Sequence, residues 1–299
     1  MKISNNLKGS ILLFIAALLW GTTFVFQRLG ANHVGPFTFV FFRAFISVIL
    51  LYLMSVITNN KIKIESGMQK NKVIMFACLA GFSLFLASVL QQLGLETIEA
   101  SKSGFITSMY MILVPIISIF FREKIKGYIF VFAFIALIGS YLLSATQGFS
   151  FGYGEIVSFI GAIFFAFQII FIDKSCKYIN PFRLCFIQAS VVSFFSFFMM
   201  ILIEKPNIND IMDAMLYILY AGILSSSVAY TFQVIGQKYA SASIASIVMS
   251  LESVIALIFG VLVLSEEMSD REIVGSILIF ISVICSQLPF EKYFKKEII

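Results

Sequence analysis

The chain has 299 residues, 60% of them hydrophobic and 12% charged, with a net charge of +5 and a mean hydropathy of +0.99. A soluble domain of this size carries roughly twice that charge, so the composition excludes a soluble enzyme or binding module and points to an all-α integral membrane protein. The basic balance does not imply nucleic acid, because the basic residues cluster between the apolar stretches. Cys78, Cys176, Cys185 and Cys285 show neither metal spacing nor a paired framework.

Apolar runs near the ~20 residues needed to cross a bilayer place helices at about 9–27, 36–57, 73–93, 101–121, 127–144, 154–173, 181–203, 211–236, 240–264 and 272–288. The first follows Lys2 and Lys8 like a signal peptide. No small-residue cleavage site comes after it, so it reads as a retained helix. On it, Trp20, Thr23 and Gln27 fall on one face. Trp20 sits mid-span, where a headgroup-belt role does not fit. It either walls a cavity or packs beside Gly21. His33 reads as a solvated loop residue. Arg43, two turns into the second helix, attracts an anionic group or snorkels to the surface.

The third helix carries Ser88, Gln91 and Gln92, and the fourth Ser103, Thr107 and Tyr110. Gln168 is on the sixth, and the eighth bears the stripe Ser226, Tyr230, Gln233 and Gln237. Uncharged polar stripes in lipid either line a wet path or bond helix to helix. The serines of the ninth helix, Ser243, Ser246, Ser250 and Ser253, read first as close-packing residues. Glu252 among them is the acidic residue nearest a span centre. Its reading is divided between a substrate or proton site and a structural carboxylate. The fifth and tenth helices carry few polar groups and should flank the core. The many phenylalanines read mostly as lipid-facing bulk.

Gly9–Ala44 and Gly154–Ala189 align without a gap at an offset of 145, with ten identities in 36 positions including Pro36/Pro181. Gly94–Ser103 aligns with Gly236–Ala245 at an offset of 142, and Glu123 falls on Glu266 after one further residue of slip. The chain is a tandem duplication, expected as one five-helix repeat over 1–146 and a second over 147–299. An odd number of spans per repeat inverts the second copy. With the N-terminus in the cytoplasm, sixteen basic residues fall in inside segments and four outside, as the positive-inside rule requires. Both termini are then cytoplasmic in a cell membrane. Ten helices in two inverted five-helix repeats are the arrangement that exchanges outward- and inward-open states.

Trp20-Gly21-Thr22-Thr23-Phe24, Gly35-Pro36-Phe37 with Arg43, Ala100-Ser101-Lys102 and Glu123 stand in order in the first half. Ala240-Ser241-Ala242-Ser243, Ser250-Leu251-Glu252-Ser253 and Glu266 stand in the second. With these residues the chain resembles the drug/metabolite transporter superfamily, in particular its EamA-type ten-helix members. It departs from the family at Ser253, where proline is usual, and at Ser265, where glycine is usual. The resemblance implies electrochemically driven secondary transport, often efflux, of amino acids or similar small metabolites.

The expected substrate pathway is Trp20, Thr23, Gln92, Tyr110, Gln168, Tyr230 and Glu252, with Arg43, Gln27, Gln91, Ser226, Gln233 and Ser250 in support. Its uncharged lining with one carboxylate suits a zwitterion or weak cation and leaves room for proton coupling. The expected partners are a small-molecule substrate and the lipid bilayer, with no nucleic acid, metal or cofactor. The sequence lacks a phosphate-binding Gly-Lys-Ser/Thr loop, an HExxH motif and a nucleophile elbow, so no enzyme is expected. A flippase or carrier of lipid-linked or sugar-type substrates in the same fold, and a non-transporting membrane subunit, are the alternatives.

Overall fold

The computed structural model describes residues 5–58, 69–144, 152–265 and 269–286. They form helices joined by short turns: α1 (Asn5–Gly30), α2 (Pro36–Ile57), α3 (Lys70–Leu95), α4 (Ala100–Ser108), α5 (Tyr110–Phe120), α6 (Gly127–Ser144), α7 (Tyr153–Ser175), α8 (Pro181–Met199), α9 (Ile208–Asp213), α10 (Met215–Tyr220), α11 (Tyr230–Gln237), α12 (Ala242–Met249), α13 (Leu251–Leu264) and α14 (Asp270–Ser286). Two π-helical stretches, Met200–Glu204 and Ala221–Ala229, continue α8 and join α10 to α11.

Eight runs among the described residues are long and apolar enough to cross a membrane: Leu7–Gly30, Pro36–Ile57, Lys70–Leu95, Ala100–Phe120, Tyr153–Ser175, Pro181–Glu204, Met215–Gln237 and Ala242–Leu264. The fifth and tenth expected spans are helical but shorter, 18 residues in α6 and 17 in α14. They pack on each other, and Gly139 approaches the Gly275 carbonyl so closely that a Cβ there would lie 2.6 Å from it. Large apolar side chains such as Phe134, Phe194, Phe198, Leu202 and Ile277 are exposed on the outside of the bundle, the arrangement lipid favours over water.

Local chemistry sets the helix ends. Pro36 and Pro181 each occupy the first turn of a helix, where the missing N–H is no loss. Asn180 caps α8 by accepting from the Phe182 amide at 2.9 Å. Arg122 and Ser265 follow α5 and α13 with φ of 60° and 57°. Both are left-handed C-terminal positions that favour glycine, which explains why the departure at Ser265 falls on a residue where glycine is the usual choice. Glu266 lies outside the described residues.

The eighth expected helix, placed from 211, starts anew at Met215 after the break at Ala214, and two others are broken within their spans. The fourth span bends at Met109, between α4 and α5, nearly two helical turns before Pro115. Proline removes an amide donor and crowds the preceding turn. The ninth bends at Ser250, between α12 and α13. There the Ser250 hydroxyl donates to the Ile247 carbonyl at 2.7 Å and Ser253 to the Ser250 carbonyl at 2.8 Å.

The main packings are α3 with α7, α2 with α8, and α1 with α13 and α11. Glycines set two of these distances. A Cβ on Gly9 would lie 3.0 Å from the Gly236 carbonyl, and one on Gly154 would lie 3.2 Å from that of Gly94. The alignment offsets relate the first pair to the second, and the two contacts sit at opposite ends of the bundle.

Candidate functional site

Inside the bundle lies a cavity with about 420 Å³ of empty space, walled by α1, α2, α3, α4, α5, α7, α11, α13 and the π stretch before α11. Its aromatic wall is Trp20, Phe24, Tyr110, Phe165 and Tyr230, with Trp20 and Tyr230 ring centroids 5.0 Å apart. Its polar wall is Gln27, Arg43, Gln91, Thr107, Gln168, Ser225, Gln233 and Glu252.

Most amides are held by one another. Gln168 and Gln233 exchange hydrogen bonds at 3.2 Å in both directions. Gln27 donates to Gln91 at 3.3 Å and to Gln92 at 3.0 Å, and Gln91 donates to Thr107 at 3.0 Å. Arg43 is 4% exposed, and its Nη2 donates to the Ser88 hydroxyl at 3.0 Å. It therefore does not snorkel.

Trp20 Nε1 is buried on the cavity wall without a partner, and the buried Tyr110 hydroxyl and Glu252 carboxyl there have only each other. Each such group costs about 1–3 kcal/mol if nothing meets it. Together they present donors and a carboxyl acceptor to whatever occupies the space. The backbone places Glu252 there tightly. A Cβ on Gly21 would lie 2.8 Å from the Glu252 carbonyl and 2.4 Å from Ile255, so α1 fixes the first turn of α13.

The lining follows the duplication. Trp20 and Phe165, and Phe24 and Ile169, are related by the offset of 145. Gln91 and Gln233, and Tyr110 and Glu252, are related by 142. All eight line the cavity.

Of the expected pathway, Trp20, Tyr110, Gln168, Tyr230 and Glu252 line this cavity, as do Arg43, Gln27, Gln91 and Gln233. Thr23 does not: its hydroxyl turns back on its own helix to the Leu19 carbonyl at 2.6 Å. Gln92 stands behind the wall, donating to the Gln27 carbonyl at 3.0 Å while accepting from Gln27 Nε2. Neighbouring positions on a helix point about 100° apart, and here Gln91 takes the inward one. Ser226 faces a second cavity, and Ser250 serves the helix break.

The sequence does not single out Phe24, Phe165, Ile169 or Ser225 as lining, and it leaves Thr107 open between the path and helix bonding; Thr107 does both, lining the cavity and accepting from Gln91. Phe165 and Ile169 were reachable as the repeat mates of Trp20 and Phe24. The phenylalanine content had been assigned to the lipid face.

One end of the bundle carries a clamp. Glu204 accepts from the Phe37 amide at 2.8 Å, the Thr38 amide at 2.7 Å and the Thr38 hydroxyl at 2.6 Å, capping α2 from another span. Near it, Arg28 reaches the Leu95 carbonyl, and Lys102 pairs with Glu155 at 2.5 Å. His33, exposed, stacks on Tyr217 at 5.8 Å. Glu96 is exposed yet partly desolvated, and its carboxyl is pushed above the usual range, by that partial desolvation first and by the Glu204 charge second. The opposite end holds the Lys174–Glu123 pair and an open depression of about 1000 Å³ lined by Glu123, Asp173, Lys174, Lys177 and Lys238 among others.

A bundle of apolar helices with lipid-ready outer faces and a part-polar central cavity defines a multi-pass membrane protein of the transporter class. The chain belongs to the EamA-like transporter family, within the drug/metabolite transporter superfamily: the family model matches residues 7–145 and again 152–287. It is 30% identical to an uncharacterized transporter of Archaeoglobus fulgidus, over 95% of this chain and 87% of that one. It is 25% identical to the riboflavin transporter ImpX of Fusobacterium nucleatum, over 94% of this chain and 98% of that one. A solved crystal structure superposes with a TM-score of 0.76 at 16% identity, covering 94% of this chain and 98% of the other. This last likeness concerns the fold.

Proposed function

We propose that this protein is a secondary transporter working by alternating access, exporting amino acids or similar small amphipathic metabolites through the central cavity. The observation that carries the reading is the cavity lined by repeat-related pairs, Trp20/Phe165, Phe24/Ile169, Gln91/Gln233 and Tyr110/Glu252. Transporter sites form at the interface between inverted repeats, where broken helices meet.

On this reading ten spans form two inverted five-helix halves, 1–146 and 147–299, with both termini in the cytoplasm. The breaks at Met109 and Ser250 and the mirrored glycine contacts at the two bundle ends support it. The Glu204 end then faces outward, and the lysine-lined depression is a cytoplasmic vestibule. Glu252 and Tyr110, neighbours on the cavity wall, are the groups proposed to meet a substrate amine or carry a coupling proton.

A second reading, a flat heteroaromatic cargo, is favoured by the five aromatic rings of the wall and by the relative named a riboflavin transporter. Untargeted metabolite comparison of cells with and without the protein, followed by uptake into proteoliposomes, separates the two. Efflux of a zwitterion supports the first, and movement of a flavin-like ring supports the second. No differential metabolite and no uptake would contradict both.

A further inference from the structure

Beside the central cavity, where α2 crosses α8, lies a second one of about 330 Å³. Arg43 and Tyr230 line both, so the two spaces share a wall. The side lobe is rich in donors. Gln188 is 1% exposed, its Oε1 is taken by Gln168 Nε2 at 3.1 Å, and its Nε2 has no partner. Arg43 is buried with a hydroxyl as its hydrogen-bond partner, and among the described residues no carboxylate pairs with it. No acidic side chain lines the lobe.

The lobe also sits on the repeat axis. Arg43 and Gln188, and Ala44 and Ala189, are related by the offset of 145. Leu84 and Ser226, and Ser88 and Tyr230, are related by 142. A buried guanidinium is costly without an anion, and its planar fork matches a carboxylate. A free amide donor at the repeat-related position adds a second hydrogen bond to the same acceptor.

We propose that this side lobe is a carboxylate subsite. It receives the anionic end of a cargo whose apolar or aromatic body lies in the central cavity against Trp20 and Phe165. The inference rests on the reading of that cavity as the substrate path.

The chain carries its own reporters. Trp20 is the single tryptophan and stands in the central cavity; Cys185 lines the side lobe. The full chain, with Cys78, Cys176 and Cys285 changed to serine, is placed in lipid nanodiscs. It is treated with 3-phenylpropionate, with its matched amide, or with inorganic phosphate. At ten times its half-saturating concentration the acid should slow methanethiosulfonate labelling of Cys185 about tenfold and shift Trp20 emission. The amide should shift Trp20 and leave Cys185 reactive. Arg43→Gln, and independently Gln188→Leu, should remove the protection while Trp20 still responds.

Equal protection by acid and amide overturns the carboxylate subsite and leaves the central cavity reading standing. Phosphate that protects Cys185 as well as the acid does, with Trp20 silent, assigns the lobe to a free anion and overturns the cargo assignment. A Cys185 that stays unreactive even at alkaline pH, where the thiolate that reacts is more populated, overturns it too, since a lobe closed to a small reagent is closed to a cargo. If Trp20 is silent to every aryl compound, the subsite falls together with the reading it rests on.

Discussion

Glu252 is 3% exposed and faces the buried hydroxyl of Tyr110 on the cavity wall. On the transport reading, Glu252→Gln abolishes or uncouples transport while membrane insertion and yield stay normal, measured by counterflow in proteoliposomes. Near-normal flux would return Glu252 to a structural role. Ser265 tests the backbone account. At φ 57° a non-glycine residue is strained by about 1–2 kcal/mol, so Ser265→Gly should raise the thermal midpoint without altering flux. A lower midpoint would show that the side chain outweighs the strain. Glu96 adds a pH dependence. Its folded carboxyl lies above its ordinary value, so the folded state loses stability as pH rises through that range. Glu96→Gln should therefore raise the midpoint slightly at neutral pH, with the gain vanishing below about pH 4. The effect is small because the side chain is exposed. An equal gain at every pH would contradict the account.

Among the helices, the clamp at Glu204 is the most testable contact. One carboxylate takes two backbone donors and a hydroxyl at the first turn of α2, where the helix dipole also favours negative charge. Glu204→Ala should cost about 1–3 kcal/mol, read as a fall in the thermal midpoint. It should also increase labelling of cavity cysteines from that end of the bundle. An unchanged midpoint and unchanged labelling would mean that the clamp holds nothing closed. Helix ends with local chemistry were legible in the sequence: Pro36 and Pro181 open α2 and α8 where expected. The breaks were not. Pro115 signals a disturbance in its preceding turn, yet the break falls earlier, at Met109, and at Ser250 serine hydroxyls accompany the break with no proline to mark it. The π stretch Ala221–Ala229 was invisible as well, because its wider turn changes the phase on which a 3.6-residue stripe depends. This is why Ser225 faces the central cavity while Ser226, on the expected stripe, faces the side lobe. Gln91 and Gln92 were separable only by helix phase, which sequence bounds to a few residues.

At the scale of the molecule, the duplication carries most of what sequence could say. Applying its offsets to Trp20, Phe24, Gln91 and Tyr110 yields Phe165, Ile169, Gln233 and Glu252, and all of them line one space. Filtering for polar residues hid the aromatic half of that set. The basic asymmetry of the sequence predicts the topology. Reporter fusions at the C-terminus and in the segment 147–153 should report opposite sides of the membrane, and a shared side would end the five-plus-five arrangement.

The central claim is that the cavity is a path open alternately to each side. Its most direct test is single-cysteine accessibility at the repeat-related pair Tyr110 and Glu252, with the four native cysteines replaced. The account predicts that an aqueous thiol reagent reaches both positions from either face of the membrane in different conformations. A transported compound should slow both reactions. Cysteines that stay unreactive from both faces, while lipid-soluble probes label them, would contradict it.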